Sequence, residues 1–172
     1  MNKPLDILPI EPIVDRQSAF MFLLGILFNQ QVRSDIAWRA PYQLGKRLDG
    51  FTPEHILIYS ESEFTEIFGR SPAIHPFVQR MAQYTYAIAR VIVNEYDGDV
   101  RKIWTPSVPA GELVRRLVAM PGIGDHKARI ALFVATVQLG IRVRDDGRSY
   151  SIRDCDGLAT LFYPNEEPSL VL

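Results

Sequence analysis

Apolar residues recur at helical spacing along most of the chain. Over residues 16–29, Phe20, Leu23, Leu24 and Leu27 fall on one stripe and predict an inward-facing helix. A second helix is expected over 32–48, bent or reset at Pro41, where the ring removes a main-chain donor. Thr52-Pro53 opens a short helix, with Thr as N-cap and Pro in the first helical position. Ser60-Glu61-Ser62-Glu63 is a capping box that opens another. The longest pattern runs over 75–96, through Phe77, Met81, Tyr84, Ile88, Val91 and Ile92, and Gly98 closes it. One short turn is expected over 99–104, ahead of Pro106 and Pro109. Two further amphipathic segments follow, 111–119 (Leu113, Val114, Leu117, Val118) and 125–139 (Ile130, Leu132, Phe133, Val137, Leu139). No strand alternation and no internal repeat is visible. Residues 1–15, with Pro4, Pro9 and Pro12, read as an extended arm packing through Leu5, Ile7, Leu8 and Ile10. Beyond Gly140 come a polar turn at 142–147, a last short helix over 151–162 and an irregular tail over 165–172. The expected fold class is all-α, as a single domain over residues 1–172.

The connection between the last two long segments carries the first chemical signal. Met120-Pro121-Gly122-Ile123-Gly124 is too short and too rich in breakers to be anything but a tight turn. Pro121 stops the first helix, and the glycines supply positive φ or close approach of the backbone. The amides of Gly122, Ile123 and Gly124 and the start of the next helix would then point outward together, a good site for an anion. Arg115, Arg116, Lys127 and Arg129 flank the turn and suit a phosphate partner. Lys127 reads as a lysine facing solvent or phosphate.

This turn between two helices resembles the helix-hairpin-helix of the HhH-GPD superfamily of base-excision DNA glycosylases. There a hydrophobic-Pro-Gly-(Ile/Val)-Gly turn grips one DNA phosphate. An early helix in that superfamily ends in a polar pair, and here Leu27-Phe28-Asn29-Gln30-Gln31-Val32 resembles it. The resemblance runs from about Ser18 to Asp146 and is closest to a bacterial branch without an iron–sulfur cluster. It implies a two-lobed helical fold with a DNA groove between the lobes. It also implies that a side chain at Gln30 or Gln31 enters the duplex beside an extruded base, offsetting part of the few kcal/mol that flipping costs. The alternative for the pair is a helix end whose polar residues cap carbonyls.

The resemblance also sets the expectations for catalysis. In the bifunctional members a Lys two residues past the last Gly attacks C1′; that position holds His126 here, and Lys127 lies about 100° further round the helix. His126 would contact DNA, protonate a departing base, or be an ordinary polar helix-start residue. Members that excise alkylated purines lack the Lys and rely on an Asp after the second hairpin helix. Asp145 and Asp146 stand at that distance, with Asp146 preferred and Asp154 and Asp156 as fallbacks. Such a carboxylate would stabilise an oxocarbenium-like transition state. Asp-Asp-Gly is also an ordinary solvated turn, and the following Gly147 departs from the helix that usually holds the Asp. Trp38, Tyr42 and Phe28 are weaker candidates to stack on a base, since aromatics at helical spacing usually form core. His55 and His75 have no partners at metal-ligand spacing, so no metal site is expected.

Composition narrows the setting. Hydrophobic content of 47% and charged content of 23% are globular values. The single Cys155 excludes an internal disulfide and a four-cysteine cluster, and no cofactor is expected. No window reaches the length of a membrane span, the start of the chain does not read as a secretory signal, and a reduced cytoplasmic, nucleoid-associated setting is expected. The net charge of −1 hides a segregation: residues 101–153 hold ten Lys+Arg against four Asp+Glu, an excess of +6 around the hairpin. The function these features support is excision of a damaged or modified base from double-stranded DNA by a monomeric, monofunctional glycosylase. The alternative is a non-catalytic helix-hairpin-helix DNA-binding protein.

Overall fold

The computed structural model describes residues 10–148, 150–151 and 169–170. Its first helix, α1 (Arg16–Phe28), opens with a capping box: Asp15 accepts from Ser18 N–H at 2.7 Å, and the Ser18 hydroxyl accepts from Asp15 N–H at 3.0 Å. From Ala19 to Phe28 every residue but Met21 is buried, so α1 is apolar all round and behaves as the central rod of the fold. Around it pack α2 (Ser34–Gly45), α5 (Val78–Tyr96) and α7 (Asp125–Phe133), together with a 3-10 turn at Val100–Ile103. Two shorter helices, α3 (Pro53–Leu57) and α4 (Glu61–Gly69), lie against α5, and α6 (Ala110–Val118) pairs with α7 to form the hairpin.

Local chemistry sets most of these boundaries. Thr52 accepts from His55 N–H at 3.4 Å to start α3, with Pro53 in its first turn. Ser60 and Glu63 form the reciprocal box that starts α4. Helix α2 begins at Ser34 and carries Pro41 inside it. The end of α4 is closed from outside: the Arg47 guanidinium, just past α2, donates to Ile67 O at 3.1 Å and Arg70 O at 2.9 Å, placing a cation on the negative end of the helix. The helix expected to start at residue 75 starts at Val78 instead, because His75 is drawn inward.

Two departures from expectation occur late in the chain. The last hairpin helix is α-helical only to Phe133 and widens into a π-helical segment, Val134–Gln138, where the Thr136 hydroxyl donates to Leu132 O at 2.8 Å. The described part of the C-terminal region contains a two-residue antiparallel ladder, Tyr150–Ser151 with Ser169–Leu170, where helix and irregular tail were expected. The expected helix over 151–162, the Asp154 and Asp156 fallbacks and the Leu5, Ile7 and Leu8 contacts otherwise lie outside the described residues; Ile10 does pack against the core. The all-α class stands. No described helix is long and apolar enough to cross a membrane.

Gly25 sets how closely α2 approaches α1. A Cβ there would collide with the indole of Trp38, which also stacks on Phe22 at a centroid distance of 6.0 Å. Gly25→Ala is therefore expected to destabilise by about 1–3 kcal/mol through overpacking. A urea titration checks this: the midpoint should fall with the slope unchanged.

Candidate nucleic-acid interface

The site is built where α1 ends. A helix leaves its last carbonyls without intrahelical donors. Ile26 O takes Asn29 N–H at 3.3 Å, and Phe28 O takes Gln30 N–H at 2.7 Å. Two side chains from elsewhere complete the set. Lys127 donates from Nζ to Leu27 O at 2.9 Å and also to Gly122 O in the hairpin turn at 3.1 Å. The buried His75 places Nε2 3.1 Å from Phe28 O and accepts Phe77 N–H on Nδ1 at 3.1 Å, so the proton sits on Nε2 and the ring is neutral. Burial pushes the His75 pKa down and the nearby Lys127 charge adds to this, against the opposing pull of the Phe28 carbonyl. Beyond these anchors the chain turns through Gln31, whose φ of 54° is left-handed and uncommon for a residue with a side chain.

The hairpin turn meets this end of α1. Gly122 has φ 78°, and a Cβ there would lie 2.5 Å from the Tyr84 ring and 2.8 Å from Leu27. Gly124 is different: it is the N-cap of α7, and among the described residues no side chain caps that helix and nothing lies within 4 Å of where its Cβ would be. The first amides of α7 thus open outward at the positive end of the helix. Between turn and α1 lies a cavity of about 420 Å³ lined by Asn29, Gln30, Gln31, Gly122, Gly124, His126, Lys127 and Ile130. Six of the sequence-predicted site residues therefore share one cavity: Gln30, Gln31, Gly122, Gly124, His126 and Lys127.

Other predicted residues sit elsewhere. Ile123 is buried, and its side chain belongs to the core rather than to a DNA surface. Lys127 does not face solvent: it is 8% exposed, and burial lowers its pKa to about 8. Its position explains the error in the expectation. Lys127 lies four residues after Ile123 and three and four before Ile130 and Ala131, all buried, so it falls on the apolar stripe of α7. The basic cluster is also largely matched. Glu112 receives Arg115 and Arg116, each at 2.7 Å, and these two hold its pKa down to about 2; Arg129 pairs with Asp125 at 2.9 Å.

Asp145 and Asp146 are not brought into the cavity. Asp145 accepts Gly147 N–H at 2.7 Å within its own turn. Asp146 accepts Gly111 N–H at 2.7 Å, the Tyr150 hydroxyl at 3.1 Å and Arg148 N–H at 3.2 Å. Partial burial works to raise its pKa, but these bonds and the Arg148 charge outweigh it and hold the carboxyl below its ordinary value. The carboxylate thus caps α6, whose own N-cap, Pro109, has no side-chain acceptor. The nine residues of α6 separate that end from the hairpin turn, roughly 13 Å at the helical rise per residue. Phe28 and Trp38 are core residues, and Tyr42 lines a separate groove with Met21 and Phe51, so no candidate aromatic lines the main cavity. Among the described residues no group of three or more His, Cys, Asp or Glu could hold a metal ion.

Among the described residues, seven α-helices with an uncapped hairpin set against the end of a buried central helix define a helix-hairpin-helix protein of DNA-glycosylase architecture. No known family model matches the chain. Two chloroplastic Endonuclease III homologs of Arabidopsis thaliana are similar in sequence. The first is 31% identical over 118 residues, 67% of this chain, and the second 28% over 122 residues, 70% of this chain. The chain spans 27% of the length of each. Among solved structures, 3-methyladenine DNA glycosylase I of Staphylococcus aureus superposes with a TM-score of 0.57 at 12% identity, covering 84% of this chain and 85% of that one. The 8-oxoguanine glycosylase/lyase of Clostridium acetobutylicum in complex with duplex DNA gives 0.52 at 15%, covering 87% and 50%. The chain is thus similar in sequence to Endonuclease III homologs and shares the helical fold of the HhH-GPD glycosylases.

His75 and Asn29 were not anticipated as part of this site. The only sequence signal for His75 was its place just before Pro76 at the start of an amphipathic pattern, which does not reveal an inward turn. Because the folded state holds His75 neutral below its ordinary pKa of 6.5, the unfolded chain binds the proton more readily. Its contribution to stability is complete above about pH 6.5 and shrinks as pH falls below that, ahead of the carboxylates, which act nearer pH 4. Urea midpoints measured from pH 7.5 to 5 should fall in the wild type and flatten in His75→Asn.

Proposed function

We propose that the chain is a base-excision DNA glycosylase that hydrolyses the bond between deoxyribose and a damaged or modified base in duplex DNA. One juxtaposition supports this most: the Gln30-Gln31 turn, the uncapped start of α7 and His126 open onto the same cavity. In this reading a DNA phosphate sits on the amides that follow Gly124. Those amides carry the attraction, since Arg115, Arg116 and Arg129 are already matched by acidic partners. An extruded base enters the cavity and Gln31, exposed at its rim, occupies the vacated stack. The C1′–N bond breaks with its electron pair leaving on the base, His126 supplies the proton that neutralises it, and water adds at C1′ as its own proton returns to the imidazole.

The state of the lysine supports hydrolysis without lyase chemistry. A nucleophilic amine needs a free lone pair, whereas the Lys127 amine faces two main-chain carbonyls, which favour the ammonium form at neutral pH. Partnership with duplex DNA, action as a monomer and a place at the nucleoid belong to the same proposal. One observation favours the non-catalytic alternative: among the described residues, no carboxylate lines the cavity.

Two experiments separate these readings. Gly124→Asp places a carboxylate where the phosphate would sit, in open space and at an N-cap position that Asp suits. Duplex affinity at low salt is expected to fall about tenfold or more, equivalent to losing one charge-assisted contact, while the melting temperature holds or rises slightly. Unaltered affinity in a gel-shift titration would remove the phosphate assignment.

Chemistry is read from a panel of duplexes carrying different lesions. On a substrate the wild type cleaves, His126→Gln should slow excision by about a hundredfold, whereas Asp145→Asn and Asp146→Asn should not. Borohydride should trap no covalent complex on abasic DNA. Trapping that disappears in Lys127→Gln would make the enzyme a lyase, and binding with no excision across the panel would establish the non-catalytic alternative.

A further inference from the structure

We propose that Lys127 is a positioning residue that ties the end of α1 to the hairpin turn, so that the Gln30-Gln31 turn and the phosphate-facing amides stand in fixed register. The proposal rests on the DNA reading above. Leu27 O and Gly122 O belong to elements far apart in sequence, and a single ammonium bridges them at 2.9 and 3.1 Å. Gly122 is two residues before the N-cap of α7, and Leu27 is three residues before Gln30. The lysine thus connects the backbone just behind each of the two features that would meet DNA.

A requirement for stability alone does not account for a cation here. Lys127 occupies an otherwise apolar stripe of α7, between Ile123 and Ile130, and is more than nine-tenths buried. Burying an ammonium is costly, and apolar residues at such positions are often as stable or more so. Buried charge kept at that cost is accounted for by what it holds in place. What it holds is a chain under constraint: Gln31 is left-handed without being glycine, and Gly122 is left-handed and pressed against Tyr84 and Leu27. His75 secures the next carbonyl of α1, Phe28 O, so the segment leading to Gln30 is anchored at two successive residues. With Lys127 removed, Leu27 O and Gly122 O each lose this donor, and the two DNA-facing features are free to shift against each other.

The test uses a duplex with 2-aminopurine opposite an abasic site, whose fluorescence rises when the base leaves the stack. Wild type, Lys127→Met, Gln31→Ala and the double variant are compared for duplex binding and for this signal. Lys127→Met is expected to bind undamaged duplex within about threefold of wild type yet lose about tenfold in the extrusion equilibrium. Because it acts through Gln31, it should cost nothing further in the Gln31→Ala background, whereas a general loss of stability would cost the same in both. Where Lys127→Met does not fold, Lys127→Gln, whose shorter side chain can donate to one carbonyl but would break the bridge between the two, carries the same expectation. Extrusion equal to wild type in the lysine variant, or an equal loss in both backgrounds, overturns the proposal and leaves the DNA reading intact. A wild-type chain that does not bind duplex, or binds without extruding, overturns the DNA reading and the proposal with it.

Discussion

The structure depends on how a buried helix is allowed to end. Helix α1 is apolar on every side and runs through the centre of the molecule, so its last carbonyls emerge where water has little access. Main-chain oxygens in such a place need donors, and leaving one unpaired costs on the order of 1–3 kcal/mol. The fold meets the requirement by bringing His75 and Lys127 to that point from two other parts of the chain. The cavity, the left-handed Gln31 and the seat of the hairpin all follow from this closure. The site is therefore a by-product of satisfying one helix terminus, and its geometry is as rigid as that terminus.

Charge does less in this molecule than a count of arginines implies. The basic excess of residues 101–153 is real in the sequence, but Glu112 absorbs two of its cations and Asp125 a third, while Lys127 is turned inward. An anion approaching the hairpin meets oriented amides more than a field of positive side chains. On the reading proposed above, such a surface would recognise a phosphate by its geometry at short range and give little long-range steering.

Much of the architecture is legible in the amino-acid sequence, for identifiable reasons. The caps at Thr52 and Ser60, the stop at Gly98 and the Pro-Gly-Ile-Gly turn act through their own neighbours, and local interactions are what a sequence displays. The joint presence of Gln30, Gln31, Gly122, Gly124 and His126 at one cavity was legible as well, because the helices on either side fix their directions. The errors involve partners distant in sequence. Asp146 looked like a reactive carboxylate because its spacing fitted, while its actual partner, the amide of Gly111, lies 35 residues earlier. Lys127 was read by its distance from the last glycine when the stripe of Ile123, Ile130 and Ala131 was the stronger guide. His75 and Phe28 are 47 residues apart, and nothing local ties them.

The cap on α6 has a consequence for how the hairpin can exist. Its first helix begins at Ala110 beside Pro109, with no acceptor of its own. The strand-like segment around Arg144 runs alongside it, exchanging main-chain bonds through Arg144 N–H to Val108 O at 2.8 Å and Ala110 N–H to Arg144 O at 3.0 Å, and Asp146 closes the helix end. The hairpin is thus not a detachable module. A fragment ending at α7 would carry the whole turn yet lack the acceptor that starts α6. During synthesis, residues 110–133 would remain provisional until the ribosome had released the segment that follows them.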